Sequence, residues 1–328
     1  MKISLIIEKM IQEANYLEVT DIHFAPKDGE VQIFYRMLNK LKYQKSINLE
    51  EYNKLLRYVK FKCRLDISKT KEFQDGSFYI ENDKKKIFLR ISTLPLLNSE
   101  SLVIRLLNDD IYIKLEDISY IKADIEVIQQ TIKRQVGLFI FTGPTGSGKT
   151  TTMYSILNTI IEQSFKKVIT IENPVEIINN NFIQVQVEEK LNIDYDNALK
   201  AVLRQDPDII MIGEIRDEKT ARNVFRAALT GHTVISTMHT KNVSGVIRRF
   251  LDFGFLKSEI EAVLIGISNQ RLLLDKNGMI KSVYDYAIGQ ELQDLIEGKG
   301  KNEGIEAKIK KIQHQNNLTK KEITPKEN

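Results

Sequence analysis

The sequence predicts two structural units, an α/β unit on a mostly parallel sheet with helices on both faces and, before it, a smaller α+β unit. Three observations predict this. Predominantly apolar runs recur at residues 138–142, 168–171, 209–212 and 234–238, as expected for strands covered on both faces. Helical segments separate these runs, the rhythm that builds a parallel sheet. Before residue 108 the apolar runs are shorter and alternate with polar residues, and Asn108-Asp109-Asp110 then breaks the pattern.

The elements follow in order. Ile3, Ile6, Ile7, Met10, Ile11 and Ala14 recur at helical spacing and give an amphipathic opening helix. Glu8 and Lys9 cut this apolar run short, and no small-residue cleavage site follows, so it does not read as an export signal. Residues 21–25 and 31–36 read as strands around a turn at Lys27-Asp28-Gly29, and 49–61 has helical spacing. Residues 73–80, 87–93 and 101–107 are strand-like. A linker is placed at Asn108, giving an N-terminal α+β domain over 1–108. A nucleotide-binding domain is expected over 109–290. The Lys- and Glu-rich remainder, 291–328, is expected to be helical, with its last dozen residues a solvated tail.

The 328 residues are 42% hydrophobic and 28% charged, with a mean hydropathy of −0.26. No stretch approaches the roughly 20 apolar residues that cross a bilayer, so a cytoplasmic chain is expected. The only cysteine, Cys63, rules out an intramolecular disulfide and a multi-cysteine zinc site. A net charge of +4 permits contact with nucleic acid or anionic lipid without demanding either.

Gly143-Pro144-Thr145-Gly146-Ser147-Gly148-Lys149-Thr150 has the spacing of a phosphate-binding loop, directly after an apolar strand and before a helical stretch over 151–161. Glycines let backbone N–H groups turn inward around phosphates, and the following helix end adds a favourable field. Lys149 is expected on the β- and γ-phosphates, the Thr150 hydroxyl on Mg²⁺, and Thr151 beside them. Cofactors are therefore ATP and Mg²⁺.

Glu214 follows the strand 209–212, where a second carboxylate holds Mg²⁺ through water or orients the attacking water. A lone acid at a strand end is ordinarily a solvated terminus; a phosphate loop on the same sheet reverses that reading. Glu172 and Glu176 both follow the strand 168–171, at the edge where α/β ligand sites form. Spacing alone leaves either as the general base. His232 and His239, both catalytic candidates, bracket the strand between them, which puts His239 at the carboxyl end, beside the nucleotide.

Taken together these motifs resemble the secretion-superfamily ATPases that assemble type II secretion pseudopili and type IV pili, over residues 17–275. Gly143 to Thr150 is similar to that family's Walker A, 170–176 to its Asp box, 203–217 to its Walker B and 230–240 to its His box. The resemblance implies a RecA-like core preceded by a PAS-like domain, Glu176 as general base and Glu214 as the Walker B acid. It also implies that Arg90 and Arg105 act as arginine fingers, a hexameric ring, and a membrane platform protein of a pilus-type machine as partner. Arg204, Arg216 and Arg226 are candidates for a ring interface. Asn173 stands where the family has Asp, which removes a charge and keeps an acceptor.

A chain without the four-cysteine zinc element or a long extra N-terminal domain resembles the competence pseudopilus ATPases of Gram-positive bacteria. Retraction ATPases are also short and zinc-free, but their Ala-Ile-Arg-like signature is not found here. A nucleic-acid translocase on the same core is the rival from another class. No tryptophan and no concentrated basic-aromatic stretch supports it, so no direct nucleic-acid contact is expected. No Asn-Lys-x-Asp guanine-reading motif occurs, which disfavours a GTPase.

Overall fold

The computed structural model describes residues 3–37, 40–82, 85–107, 113–175, 177–187, 193–274, 279–299 and 304–316. Two compact units, Met1–Ile111 and Tyr112–Asn328, divide the chain. The linker expected at residues 108–110 and the tail expected over the last dozen residues lie outside the described residues.

In the first unit the elements are α1 (Ile3–Tyr16), β1 (Asp21–Lys27), β2 (Glu30–Met37), β3 (Lys40–Asn48), α2 (Leu49–Lys62), β4 (Gln74–Asn82), β5 (Lys85–Pro95) and β6 (Glu100–Leu107). The strands form one antiparallel sheet in the order β3-β2-β1-β6-β5-β4. Asp28 (φ 50°) and Gly29 (φ 86°) supply the left-handed turn that closes the β1–β2 hairpin. Asn48 caps α2 by accepting from the Glu51 amide at 2.8 Å. Ile7, Ile11 and Ala14 of α1 and Tyr52, Leu55 and Val59 of α2 share one core with Ile22, Leu89, Ile91, Leu102 and Ile104 of the sheet.

Because side chains alternate across a strand, the neighbours of those core residues face the other way. Arg36, Asp21, Arg105 and Arg90 are consecutive partners across β2, β1, β6 and β5, and so form one transverse charged row opposite the core. Edge strand β3 is largely exposed and Lys-rich. It has no apolar alternation to reveal it, and its lysines discourage pairing with another chain's strand.

The second unit contains α3 (Leu115–Ile118), α4 (Lys122–Arg134), β7 (Gly137–Thr142), α5 (Lys149–Ser164), β8 (Val168–Glu172), β9 (Ile183–Gln186), α6 (Tyr195–Leu203), β10 (Ile209–Ile212) and α7 (Glu218–Leu229). It continues through β11 (Thr233–Met238), α8 (Val243–Asp252), α9 (Lys257–Val263), β12 (Leu264–Leu274), β13 (Ile280–Ile288), α10 (Gln290–Glu297) and α11 (Ile305–Asn316).

The sheet order is β13-β12-β7-β11-β10-β8-β9, with every pairing parallel except β12–β13. Alternation along the buried strands feeds two cores. Leu138, Ile140, Ile210 and Ile212 face one, and Phe139, Phe141, Ile209 and Met211 the other. Both faces are thus covered, as the apolar runs require. Asp194, Asp217 and Asn242 cap α6, α7 and α8 with side-chain oxygens.

Helix α11 packs Ile305, Ile309 and Ile312 onto Leu273 and Val283 of the β12–β13 hairpin. Lys308 adds an ion pair with Asp124 of α4 at 2.7 Å. Among the described residues no helix is long and apolar enough to cross a membrane.

Candidate functional site

Strand β7 ends at Thr142 and α5 begins at Lys149, so the glycine-rich loop occupies the carboxyl edge of the sheet and opens onto the amino end of a helix. Gly143 (φ 139°) and Gly148 (φ 81°) hold backbone conformations that favour glycine. A Cβ at Gly143 would also stand 2.5 Å from the Gln270 carbonyl oxygen. Ser147 is buried, and its Oγ has no hydrogen-bond partner among the described residues. Thr145 and Gly146 are exposed, while Pro144, Thr150 and Thr151 are half-buried.

The Lys149 ammonium lies over this loop, donating to the carbonyls of Gly143 and Pro144 at 2.9 Å each. A cation in a mostly buried cradle at a helix amino end is suited to a polyphosphate.

Adjacent strands bring further groups to the same edge. Glu214 lies two residues past the end of β10 and His239 one residue past β11. Glu214 Oε1 accepts from the Arg216 guanidinium, and Oε2 stands 3.5 Å from His239 Nε2. Burial holds the His239 imidazole below its ordinary pKa of 6.5, and the nearby Lys149 and Arg216 charges push the same way. Glu214 and a hydrogen bond with the Gly143 backbone oppose them. His239 is therefore neutral near pH 7, which keeps a second positive charge away from Lys149.

Glu172 ends β8 but is buried at 3% exposure. Its Oε1 accepts from Tyr154 Oη and Thr170 Oγ1 at 2.7 Å each. Gln184 of β9 donates to Tyr154 Oη at 2.8 Å. A carboxylate already engaged by hydroxyl donors in the interior suits a structural part better than proton abstraction from solvent. Glu176, the other carboxylate of that segment, lies outside the described residues.

The structure thus brings Gly143, Ser147, Gly148, Lys149, Glu214 and His239 to one edge. It does not bring His232 there. That residue precedes β11, its carbonyl accepts from the amide of Gly137 at the start of β7, and its Nδ1 meets Thr230 Oγ1 at 3.0 Å. His232 is at the amino end of the sheet. Arg90 and Arg105 belong to the first unit, where Arg105 Nε donates to the buried carboxylate of Asp21 at 2.7 Å and Arg36 lies 3.8 Å from the same group.

Sequence reasoning missed Tyr154, Gln184, Tyr195 and Gln270. Tyr195 packs beside the edge, its hydroxyl 3.8 Å from a Cβ placed on Gly213. Burial and the nearby Glu214 carboxylate push its phenol up to about 12. None of the four stands in a recognisable motif; only tertiary pairing reveals them.

The loop's glycine-only approach, a hydroxyl buried without a partner among the described residues and the Glu214 carboxylate at the same sheet edge fit a nucleoside triphosphate with a divalent cation. Comparisons agree. Competence protein ComGA of Bacillus subtilis is 36% identical over 316 residues, 91% of this chain and 89% of that protein. Type II secretion system protein E of Xanthomonas campestris pv. campestris is 36% identical over 269 residues, 82% of this chain but 47% of that protein. The crystal structure of the pilus retraction motor PilT with bound ADP superposes with a TM-score of 0.75 at 28% identity, covering 94% of this chain and 90% of that one. The second unit is accordingly a RecA-like P-loop fold, and the protein is an ATP-hydrolysing enzyme. Residues 1–313 match the type II/IV secretion system protein family, and the chain belongs to it.

Proposed function

We propose that this chain is the cytoplasmic motor that hydrolyses ATP to power assembly of a type IV-like competence pseudopilus for DNA uptake. The reading is carried by Lys149, Glu214 and His239 meeting at one sheet edge, in a chain 36% identical to ComGA over 91% of its length.

In this reading Gly143 to Thr151 hold the phosphates, with Lys149 as their main charge partner. Thr150 and Glu214 would hold Mg²⁺, which neutralises charge on the phosphate oxygens. Glu214 and the neutral His239 orient groups beside the terminal phosphate. Glu176 takes the proton from water, since Glu172 is already engaged by Tyr154 and Thr170. Arg90 and Arg105 spread the charge that develops on the transferred group; family membership supports a hexameric ring acting on a membrane platform protein. His232, at the opposite end of its strand, serves the fold. The functional division is an N-terminal domain over 1–108, an ATPase domain over 109–290 and a C-terminal segment over 291–328.

The likeness to a retraction motor favours a second reading, in which the chain disassembles fibres. Deleting the gene separates the two. Loss of surface fibres and of DNA uptake, restored by the wild-type gene but not by a Lys149→Ala copy, supports assembly. Accumulated fibres support retraction. Unchanged fibres and uptake overturn both, and phosphate release stimulated by DNA points to a translocase.

A further inference from the structure

We propose that Gln270 is a positioning residue for the phosphate-binding loop, aiming the Gly148 N–H group into it; this rests on the nucleotide-hydrolysing reading above. Strands β12 and β7 pair as far as Asn269 opposite Thr142. The next residue on β12, Gln270, therefore comes abreast of the loop's first residue, Gly143. Gln270 is fully buried. Its Nε2 donates to the Ser147 carbonyl at 2.6 Å and lies 2.9 Å from Ser282 Oγ. A Cβ on Gly143 would collide with the Gln270 carbonyl, and one on Gly148 would stand 3.1 Å from Nε2. One residue thus shapes the loop at its first, fifth and sixth positions.

The consequence follows from peptide planarity. In a trans peptide the C=O and the next N–H point in opposite directions. With the Ser147 carbonyl drawn toward β12, the Gly148 N–H is turned away from β12, toward the loop. Backbone N–H groups of this kind are what such loops offer to phosphate. The amide orientation of Gln270 is fixed, because a carbonyl accepts only from Nε2. Its Oε1 is buried without a partner among the described residues, so the side chain gives up one hydrogen bond to hold this position. The support extends backward, since Ser282 is itself held by the Tyr120 amide on its carbonyl at 2.8 Å.

Gln270→Leu keeps the volume and removes the donor. Gln270→Glu keeps the shape and makes the donor depend on protonation. Ionised, the carboxylate faces the Ser147 carbonyl and repels it; protonated, it donates again. Burial raises that carboxyl's pKa, so the donor is present in acid and lost as pH rises.

The full chain is tested for affinity toward a fluorescent ADP analogue and for kcat and KM with ATP, with melting curves as a fold control. Gln270→Leu is expected to weaken ADP binding and raise KM about tenfold, with a smaller change in kcat. The Gln270→Glu deficit, taken as a ratio to wild type at each pH, is expected to shrink between about pH 8 and about pH 5.5.

Binding by folded Gln270→Leu within about twofold of wild type overturns the brace alone. A Gln270→Glu deficit that ignores pH overturns it as well, and decides the matter if Gln270→Leu does not fold. A wild-type chain that binds no nucleotide overturns the enzymatic reading and the brace with it.

Discussion

Glu214 Oε2 and His239 Nε2 stand 3.5 Å apart at the carboxyl ends of the adjacent parallel strands β10 and β11. A carboxylate at this distance ordinarily favours the imidazolium. Here burial and the Lys149 charge prevail, and the imidazole stays below its usual pKa.

This shift has a sign that melting curves can read. Above the ordinary value of 6.5, His239 is neutral in both folded and unfolded chains. As pH falls below it, the unfolded chain takes up the proton first, and stability is lost down through the depressed folded pKa. The Tm of wild type minus that of His239→Asn is expected to be constant above pH 6.5 and to fall below it. A difference that stays flat into acid, or rises, refutes the assignment.

Glu214→Gln keeps the shape and removes the charge that pairs with Arg216. If Glu214 acts on the reacting groups, phosphate release should fall on the order of 10²-fold or more while ADP affinity changes little. Comparable losses of both would make Glu214 a support of the loop instead.

The carboxylates of Glu172, which ends β8, and Glu176, four residues on, are expected to fail in different ways. Glu172 is buried and accepts two hydroxyl hydrogen bonds, so Glu172→Gln should cost about 1–3 kcal/mol of stability. Glu176→Gln should abolish most turnover, because an amide cannot accept a proton from water. Severe loss of turnover in a stable Glu172→Gln protein would exchange the two assignments.

Much of this was legible in the sequence because it is local. The loop from Gly143 to Thr150 announces itself by spacing, and the strands of Leu138 and Ile209 by unbroken apolar runs. The turn at Asp28-Gly29 carries its own signal. What was not legible depends on pairing. The strands β12 and β13 contain buried polar residues such as Ser268, Asn269, Gln270 and Ser282, which interrupt the apolar pattern a core strand ordinarily shows. Of these, Gln270 reaches the loop beside it through the Ser147 carbonyl and touches Ser282, while Asn269 donates to the Lys241 carbonyl. Spacing likewise could not choose between Glu172 and Glu176; the hydroxyls that engage Glu172 come from α5 and from its own strand.

Arg105 offers a test in the first unit. Asp21 orients its guanidinium at 2.7 Å, and Arg90 is its direct cross-strand neighbour. Arg105→Ala should lower turnover on the order of 10³-fold, as removal of an arginine finger does, and leave ADP affinity unchanged. Arg105→Lys should restore little, since an ammonium lacks the planar fork. A full-rate Arg105→Ala enzyme removes the residue from the catalytic scheme.

The charged row of Arg36, Asp21, Arg105 and Arg90 has one more consequence, which concerns how such a chain tolerates change. Each member alternates with a packed residue, Arg105 with Ile104 and Leu106, Arg90 with Leu89 and Ile91. A slip of one residue between strands would drive an arginine into the apolar interior and expose an isoleucine. Misalignment is thus penalised by the interior, far more than by the arginines themselves. The open face is free to drift in composition while its arginines stay in line, because the hidden face keeps their frame.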